Sequence, residues 1–334
     1  MSVLAIALLA WFLRHANIGE VWKLIRAAHM GAILMAGSLF IVTMVIRAVR
    51  WRYLLQPVGL VRFGTALRTT IIGFAASNVL PARAGEVLRP YLLAREEKLS
   101  ATAAFATIVV ERVLDMMAVV ALLATFVWGT SRTGLSPALL PAIETSAALA
   151  AAAGVALLLL MWALAARPER VGHVVLRTER VLPSRFALVL SRAAHTFSTG
   201  LAVARAPRAL AFAGVWSLIL WVTIGAQCWL VTSAFGIDMP FTGSFLLQAL
   251  LVIGVAVPTP GAVGGFHEAY RIGATTFFHA PNDAAVGAAL VLHAVSFIPV
   301  TLLGLAFMLR DGFSLRRLQG LADSVPSEEI PVAP

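Results

Sequence analysis

The chain has 334 residues, of which 60% are hydrophobic and only 13% charged, with a formal net charge of +10. Soluble domains carry about 25% charged residues, so this composition excludes a soluble enzyme, a disordered segment and a secreted disulfide scaffold, and leaves lipid as the solvent. One cysteine, Cys228, excludes an intrachain disulfide, and the basic residues, all arginine except Lys23 and Lys98, form no stripe interleaved with aromatics, so nucleic acid is not an expected partner.

In chain order, residues 2–13 form an apolar run too short to span a bilayer unless neighbouring helices cap it. With no basic leader and no small-x-small cleavage site, a signal peptide is disfavoured. Residues 14–29 interleave Arg14, Lys23 and Arg26 with Trp22 and Ile25, the pattern of an amphipathic helix lying in the interface. Five stretches approach the roughly 20 apolar residues of a spanning helix, at about 30–49, 103–128, 139–165, 209–235 and 284–309. Two further apolar stretches, about 66–98 and 243–280, start as helices, break at Pro and Gly, then resume. They read as re-entrant hairpins, because broken backbone at membrane depth survives only where protein or water satisfies it.

Arginine placement sets the direction of the spans. The stretch 47–68 holds Arg47, Arg50, Arg52, Arg62 and Arg68 with no acid, 166–208 holds eight arginines against Glu169 and Glu179, and the last span ends in Arg310, Arg316 and Arg317. Placing these regions and the tail, 310–334, in the cytoplasm satisfies every span from 30 onward. Residues 14–29 alone disagree, since they carry positive charge on the outer side.

The two broken stretches relate at an offset of about 181–182 residues, which sets Glu86 on Glu268 and Arg112 on His293. The first hairpin lies between cytoplasmic regions and the second between outer ones. The expected fold is therefore an all-α polytopic membrane protein of two inverted repeats, 30–128 and 209–309, each with a re-entrant hairpin, with the span 139–165 reversing direction between them. Inverted repeats whose broken helices meet near the midplane are a transporter arrangement. Chance similarity between two Pro/Gly turns is the plain alternative.

Glu111, Arg112 and Asp115 fall well inside the span 103–128, where each charge costs at least ~2.5–3.5 kcal/mol and turns to the protein interior. Their i, i+3 and i, i+4 spacing puts them on one face, as a proton or headgroup site or as a structural ion pair joining helices. Arg83, Glu86 and Arg89 crowd the first hairpin, where arginine forks and free helix N–H groups suit phosphate, although interfacial arginines commonly just anchor. Asn78 and Gly85 flank Pro81 at that break. The second break holds Pro258, Pro260, Gly261, Gly264 and Gly265, followed by His267 and Glu268. These are the candidate gating residues. His267 and His293 are candidates for proton coupling, although a lone helix histidine is more often a packing residue. The seven expected substrate contacts are Arg83, Glu86, Arg89, Glu111, Arg112, Asp115 and Glu268, gathered in one polar cavity.

Enzyme signatures are missing. There is no Walker A sequence, no G-x-S-x-G and no H-E-x-x-H. His267-Glu268 lacks a second zinc ligand at the required spacing. No Asp-x-Asp pair serves a metal-dependent glycosyltransferase, and Pro281 breaks the segment between His279 and Asp283. No catalytic residue, metal or cofactor is expected.

The order Asn78-Val79-Leu80-Pro81-Ala82-Arg83-Ala84-Gly85-Glu86, then Glu111-Arg112 and Asp115, then Pro258-Thr259-Pro260-Gly261 with Glu268 nearby, resembles the flippase-like transmembrane family, also called the lysylphosphatidylglycerol synthase transmembrane domain family. The resemblance covers about residues 20–310. It implies a multi-pass protein of the bacterial inner membrane that moves a lipid. Members are associated with aminoacylated phospholipid, and others with polyprenyl-phosphate sugar or hopanoid pathways. Here Ala262-Val263-Gly264-Gly265-Phe266-His267 replaces the tighter Gly-Gly-Leu-Gly pattern before Glu268. About 24 residues after 310 are too few for a soluble aminoacyl-transferase domain, so lysyl transfer is not expected of this chain. The expected activity is ATP-independent transport of a lipid with a polar, anionic phospho- or polyprenyl-phosphate headgroup. The alternative is a membrane-embedded lipid-modifying enzyme, or an accessory subunit partnered with a lipid-biosynthesis enzyme.

Overall fold

The computed structural model describes residues 2–14, 16–80, 83–130, 140–176, 184–257 and 259–311. Among them every regular element is helical. Two short helices, α1 (Ser2–Leu13) and α2 (Ile18–Ala27), precede the long α3 (Met30–Leu55). A helical hairpin follows, α4 (Phe63–Val79) and α5 (Gly85–Glu97), then α6 (Ala101–Thr130) and α7 (Leu140–Ala166). Two amphipathic helices, α8 (Pro168–Leu176) and α9 (Ser184–Gly200), lead to α10 (Pro207–Ala234). A second hairpin, α11 (Gly243–Ala256) and α12 (Gly265–Phe278), ends at α13 (Asn282–Arg310).

Four of these helices, at Met30–Leu55, Pro141–Ala166, Pro207–Ala234 and Asn282–Arg310, are long and apolar enough to cross a membrane. The fifth expected span is α6, whose 30 residues make about 45 Å, and which differs in carrying Glu111, Arg112 and Asp115. Small residues turn inward and large ones outward, as helix packing in lipid requires. Thus α13 buries Ala284, Ala285, Ala288 and Ala289 and exposes Ile298, Leu302 and Leu303, while α7 exposes Leu149, Leu157, Leu159 and Leu160.

Polar contacts sort the helix ends into two sets. At one end Arg62 Nε donates to Glu97 Oε1 at 3.0 Å, Arg68 pairs with Asp311 at 2.7 Å and with Glu96, and Ser198 Oγ donates to the Leu164 carbonyl at 2.5 Å. This is the arginine-rich end. At the other, the His29 N–H donates to the Ala234 carbonyl at 3.0 Å and the Asn17 N–H to Asp283 at 3.1 Å. The partition agrees with the arginine count for every long helix. It also sets residues 14–29 with 234–243 and 280–283, away from the arginine-rich end, so the positive charge of 14–29 is local.

Each hairpin leaves and returns to the same end of the molecule. Helix α4 starts beside the Arg62–Glu97 pair that closes α5, and Gly243 at the start of α11 packs against the Phe278 ring that closes α12. Helices of 17, 13, 14 and 14 residues are about 20–25 Å long, short of the ~30 Å hydrocarbon thickness. The tips meet each other, where Arg83 Nη2 of the first donates to the Val255 carbonyl of the second at 2.6 Å.

The hairpins share local geometry at or within one residue of the offset read from the sequence. A Cβ on Gly85 would overlap the Gly73 carbonyl oxygen, and one on Gly265 would overlap that of Gly254, so each helix pair closes on a glycine–glycine contact. Lys98 (φ 56°) and His279 (φ 52°) both end their hairpins in the left-handed conformation. Arg83 (φ 53°) and Gly264 (φ 90°) both take positive φ at the turn, again 181 residues apart. Helix α1 lies over the second turn, with Leu8 against Gly264 and the Phe12 ring 5.2 Å from that of His267. This is the capping by neighbours that so short an apolar helix needs.

Candidate functional site

Helix α6 sets Glu111, Arg112 and Asp115 on its interior face, as their spacing predicts. What surrounds them is cationic. Arg50 of α3 is fully buried. It pairs with Asp115, reaches Glu111 Oε1 at 3.0 Å, and donates to Ser217 Oγ of α10 at 2.7 Å. Trp221 Nε1 also donates to Asp115, at 3.0 Å. One side chain thus ties three helices together, a contact that the cost of orphaned charge in lipid makes hard to break.

Three guanidiniums converge on a single carboxylate oxygen. Arg50, Arg89 and Arg112 each lie 3.0 Å from Glu111 Oε1, whereas Oε2, equally buried, has no partner. Arg89 comes from α5, with its guanidinium carbon 3.8 Å from the centre of the Trp51 ring, and Trp51 is held by Thr107 at 3.0 Å. Arg89 Nε and Nη2 are buried and make no hydrogen bond, and the same holds for Arg112 Nε and Arg47 Nε. Arg47 rests over the Phe74 ring at 4.7 Å, and no described carboxylate lies within 4.0 Å of it.

Beside this cluster runs a cleft in two joined parts. The part at the first hairpin, about 180 Å³, is lined by Asn78, Arg83, Gly85, Glu86, Arg89 and Arg112, with Val255 and Thr259 from the second hairpin. The other part, about 420 Å³, shares Asn78, Arg83 and Arg112 and adds Arg47, Asp115 and Trp221. Its remaining wall is largely apolar, with Phe40, Val252 and Phe266. Arg83 faces Glu86 at 3.8 Å. Arginine is an unusual residue for positive φ, at a position that the second hairpin fills with glycine.

The structure therefore brings together six of the seven residues singled out as substrate contacts, five of them lining the cleft, while Glu111 is fully buried behind them and lines neither part. Glu268 stands apart. It pairs with Arg271 through two bonds of 2.6 and 2.9 Å, Arg271 also reaches Asn282 at 3.2 Å, and Glu268 lines neither part of the cleft. A partner one turn along its own helix satisfies it locally. The histidines brace the second turn. His267 Nδ1 accepts the Gly264 N–H at 3.2 Å, His293 Nε2 bonds the Gly261 carbonyl at 2.8 Å, and their rings lie 4.5 Å apart among Phe266 and Phe297. Pro260 and Gly261 form the adjoining 3₁₀ turn, and Asn78 Nδ2 bonds Thr301 at 2.9 Å. Pro81 and Pro258 lie outside the described residues.

Arg47 and Arg50 are the functional candidates that sequence reasoning missed, because it counted them among the topology-setting arginines of 47–68. Helix α3 continues to Leu55, so both lie within the helix. The signal was available in Trp51, Tyr53, Leu54 and Leu55 beyond them, and in the need of Glu111 and Asp115 for cations. Among the described residues no three His, Cys, Asp or Glu side chains are grouped to hold a metal ion. With Asp115 and one oxygen of Glu111 engaged by arginine, the geometry suits binding of an anion better than proton abstraction.

Comparison with known proteins agrees with the membrane architecture. The chain matches the Lysylphosphatidylglycerol synthase TM region family over residues 1–304, and belongs to it. It is 26% identical over 345 residues to Glycosyltransferase AglD of Haloferax volcanii, a match covering 94% of this chain and 54% of that protein. It is 28% identical over 104 residues to UPF0104 membrane protein MJ1595 of Methanocaldococcus jannaschii, covering 30% of this chain and 31% of that one. The chain thus spans about half the length of AglD.

Proposed function

We propose that this member of the family is an ATP-independent lipid transporter of the bacterial inner membrane. It holds a phosphate-bearing headgroup in the arginine-lined cleft while the acyl chains stay in lipid. The observation that carries this reading is that Arg47, Arg89 and Arg112, which line the cleft, each keep buried guanidinium N–H groups without partners, as Arg50 does behind them. Unpaired cationic donors at membrane depth are expensive unless a ligand completes them. Arg83, Arg89 and Arg112 receive the phosphate with Arg47 beside them in the same cleft, Arg50 with Asp115 fixes the floor, and Glu111 holds the arginines in register. Glu86 faces the site from the hairpin. Glu268 serves the second hairpin's own structure.

In this reading the two hairpins are re-entrant, enter from opposite faces, and belong to inverted repeats. Support comes from helices too short to span, from return of each to its starting end, and from the matched glycine contacts and positive-φ positions. Opening at one tip or the other admits the headgroup from one side at a time, and the bond from Arg83 to the Val255 carbonyl closes the path between them.

The experiment is reconstitution in liposomes with labelled anionic, aminoacylated and polyprenyl-phosphate lipids. We expect one anionic class to cross faster than in empty vesicles, and Arg89→Gln to abolish the gain. If every lipid crosses at the empty-vesicle rate, with or without a pH gradient or potential, the transporter reading fails. A second reading rests on the resemblance to AglD, which is named a glycosyltransferase and is about twice as long as the match. There the shared region would present a lipid to an enzyme, as a partner subunit. Lipid binding without flux, together with co-purification of a lipid-modifying enzyme, would favour it.

A further inference from the structure

The charges around the cleft do not balance, and the imbalance has a definite size. Arg50 cancels Asp115, which it contacts directly. Arg83 cancels Glu86 across 3.8 Å. Glu111 offsets one of Arg89 and Arg112, both 3.0 Å from its Oε1. Two guanidiniums remain, one of that pair and Arg47, which stacks on the Phe74 ring and has no described carboxylate within 4.0 Å. Five arginines against three carboxylates leave two positive charges. Arg112 lines both parts of the cleft, Arg89 one and Arg47 the other, so both surplus charges adjoin the space a headgroup would fill.

We infer that the cleft is built for a lipid whose headgroup carries two negative charges, a phosphomonoester or diphosphate, rather than a singly charged phosphodiester. The inference rests on the anionic-lipid reading above and narrows it. A phosphomonoester carries −1.5 to −2 near neutral pH and three terminal oxygens. Those oxygens match arginines arriving from α3, α5 and α6, each with a buried nitrogen unsatisfied. A phosphodiester brings one charge and two such oxygens, which leaves one guanidinium unpaired at membrane depth.

The test compares dioleoyl phosphatidic acid with dioleoyl phosphatidylglycerol, which share acyl chains and differ in headgroup charge. Binding to the full chain in phosphatidylcholine nanodiscs is titrated by native mass spectrometry at mildly alkaline pH. We expect phosphatidic acid to bind about tenfold or more tightly, the worth of one close buried charge pair. Arg47→Gln should weaken phosphatidic acid much more than phosphatidylglycerol and bring the ratio near one, and Arg47→Lys should keep the preference. The comparison on the parent protein stands even if Arg47→Gln does not fold. Equal affinities, or preference for phosphatidylglycerol, would overturn the two-charge inference and leave anionic-lipid transport standing. Failure of both lipids to bind would remove both. Full displacement of bound phosphatidic acid by millimolar inorganic phosphate would reassign the site to a free anion and overturn the lipid class.

Discussion

Replacing Arg50 with methionine is expected to destabilise the protein by about 3–5 kcal/mol, the range for removing one partner of a buried ion pair. The structure places the loss within that range. Arg50 has no exposed surface, and its loss removes the contacts to Asp115, Glu111 and Ser217 at once, uncoupling α3 from α6 and α10. Asp115 would keep Arg112 at 3.6 Å and Trp221 at 3.0 Å, so compensation is partial. At about 2 °C per kcal/mol for a large domain, the melting transition should fall by roughly 6–10 °C. Tryptophan fluorescence in detergent, scanned at one fixed rate because membrane proteins unfold irreversibly, would read it, with Trp51 and Trp221 beside the cluster as reporters. Asn at position 115 in the same background removes the orphaned charge. The double variant should therefore regain part of the loss, giving a favourable coupling between the sites. A melting point within about 1 °C of the parent for Arg50→Met, or additive losses in the double variant, would refute the claim that this pair joins the three helices.

Two further outcomes follow from the hairpins and a third from the sorting of the helix ends. Gly265→Ala sets a methyl against the Gly254 carbonyl, a backbone clash that cannot be relieved by a side-chain turn, so we expect a loss of about 1–3 kcal/mol, read as a lower melting point and faster proteolysis between α11 and α12. Arg83→Ala removes the bond to the Val255 carbonyl; a cysteine at Thr259, in the cleft wall, should then label about threefold faster or more, a discounted figure because Arg83 is partly exposed, and an unchanged rate would disprove the latch. Cysteines at Leu60 and Arg205 should label from one side of the membrane and cysteines at Asn17 and Gly236 from the other, and reaction of Leu60 and Gly236 from the same side would break the proposed topology.

Much of this arrangement was legible because lipid enforces a strict rule. A charge within an apolar run must turn inward, so Glu111, Arg112 and Asp115 announced an interior face, and Pro and Gly inside apolar runs announced both hairpins. The remainder depended on contacts that periodicity does not carry. Arg47 and Arg50 read as topology markers because a run of arginine after an apolar stretch looks the same whether the helix stops or continues, and only the packing of Trp51 and Leu54 shows that it continues. Glu268 was grouped with the cleft by its position after the second break. The Glu268–Arg271 spacing already contained its local partner, and a pair satisfied one turn apart has no need of the distant cluster.

The central claim is that the arginines of the cleft hold an anionic lipid. The most direct measurement is native mass spectrometry of the purified protein with its co-purified lipids, comparing the parent with the Arg89→Gln, Arg112→Gln double variant, both shown folded by gel filtration and melting. The account predicts an anionic lipid retained by the parent and lost from the variant. The same lipid retained equally by both would contradict it.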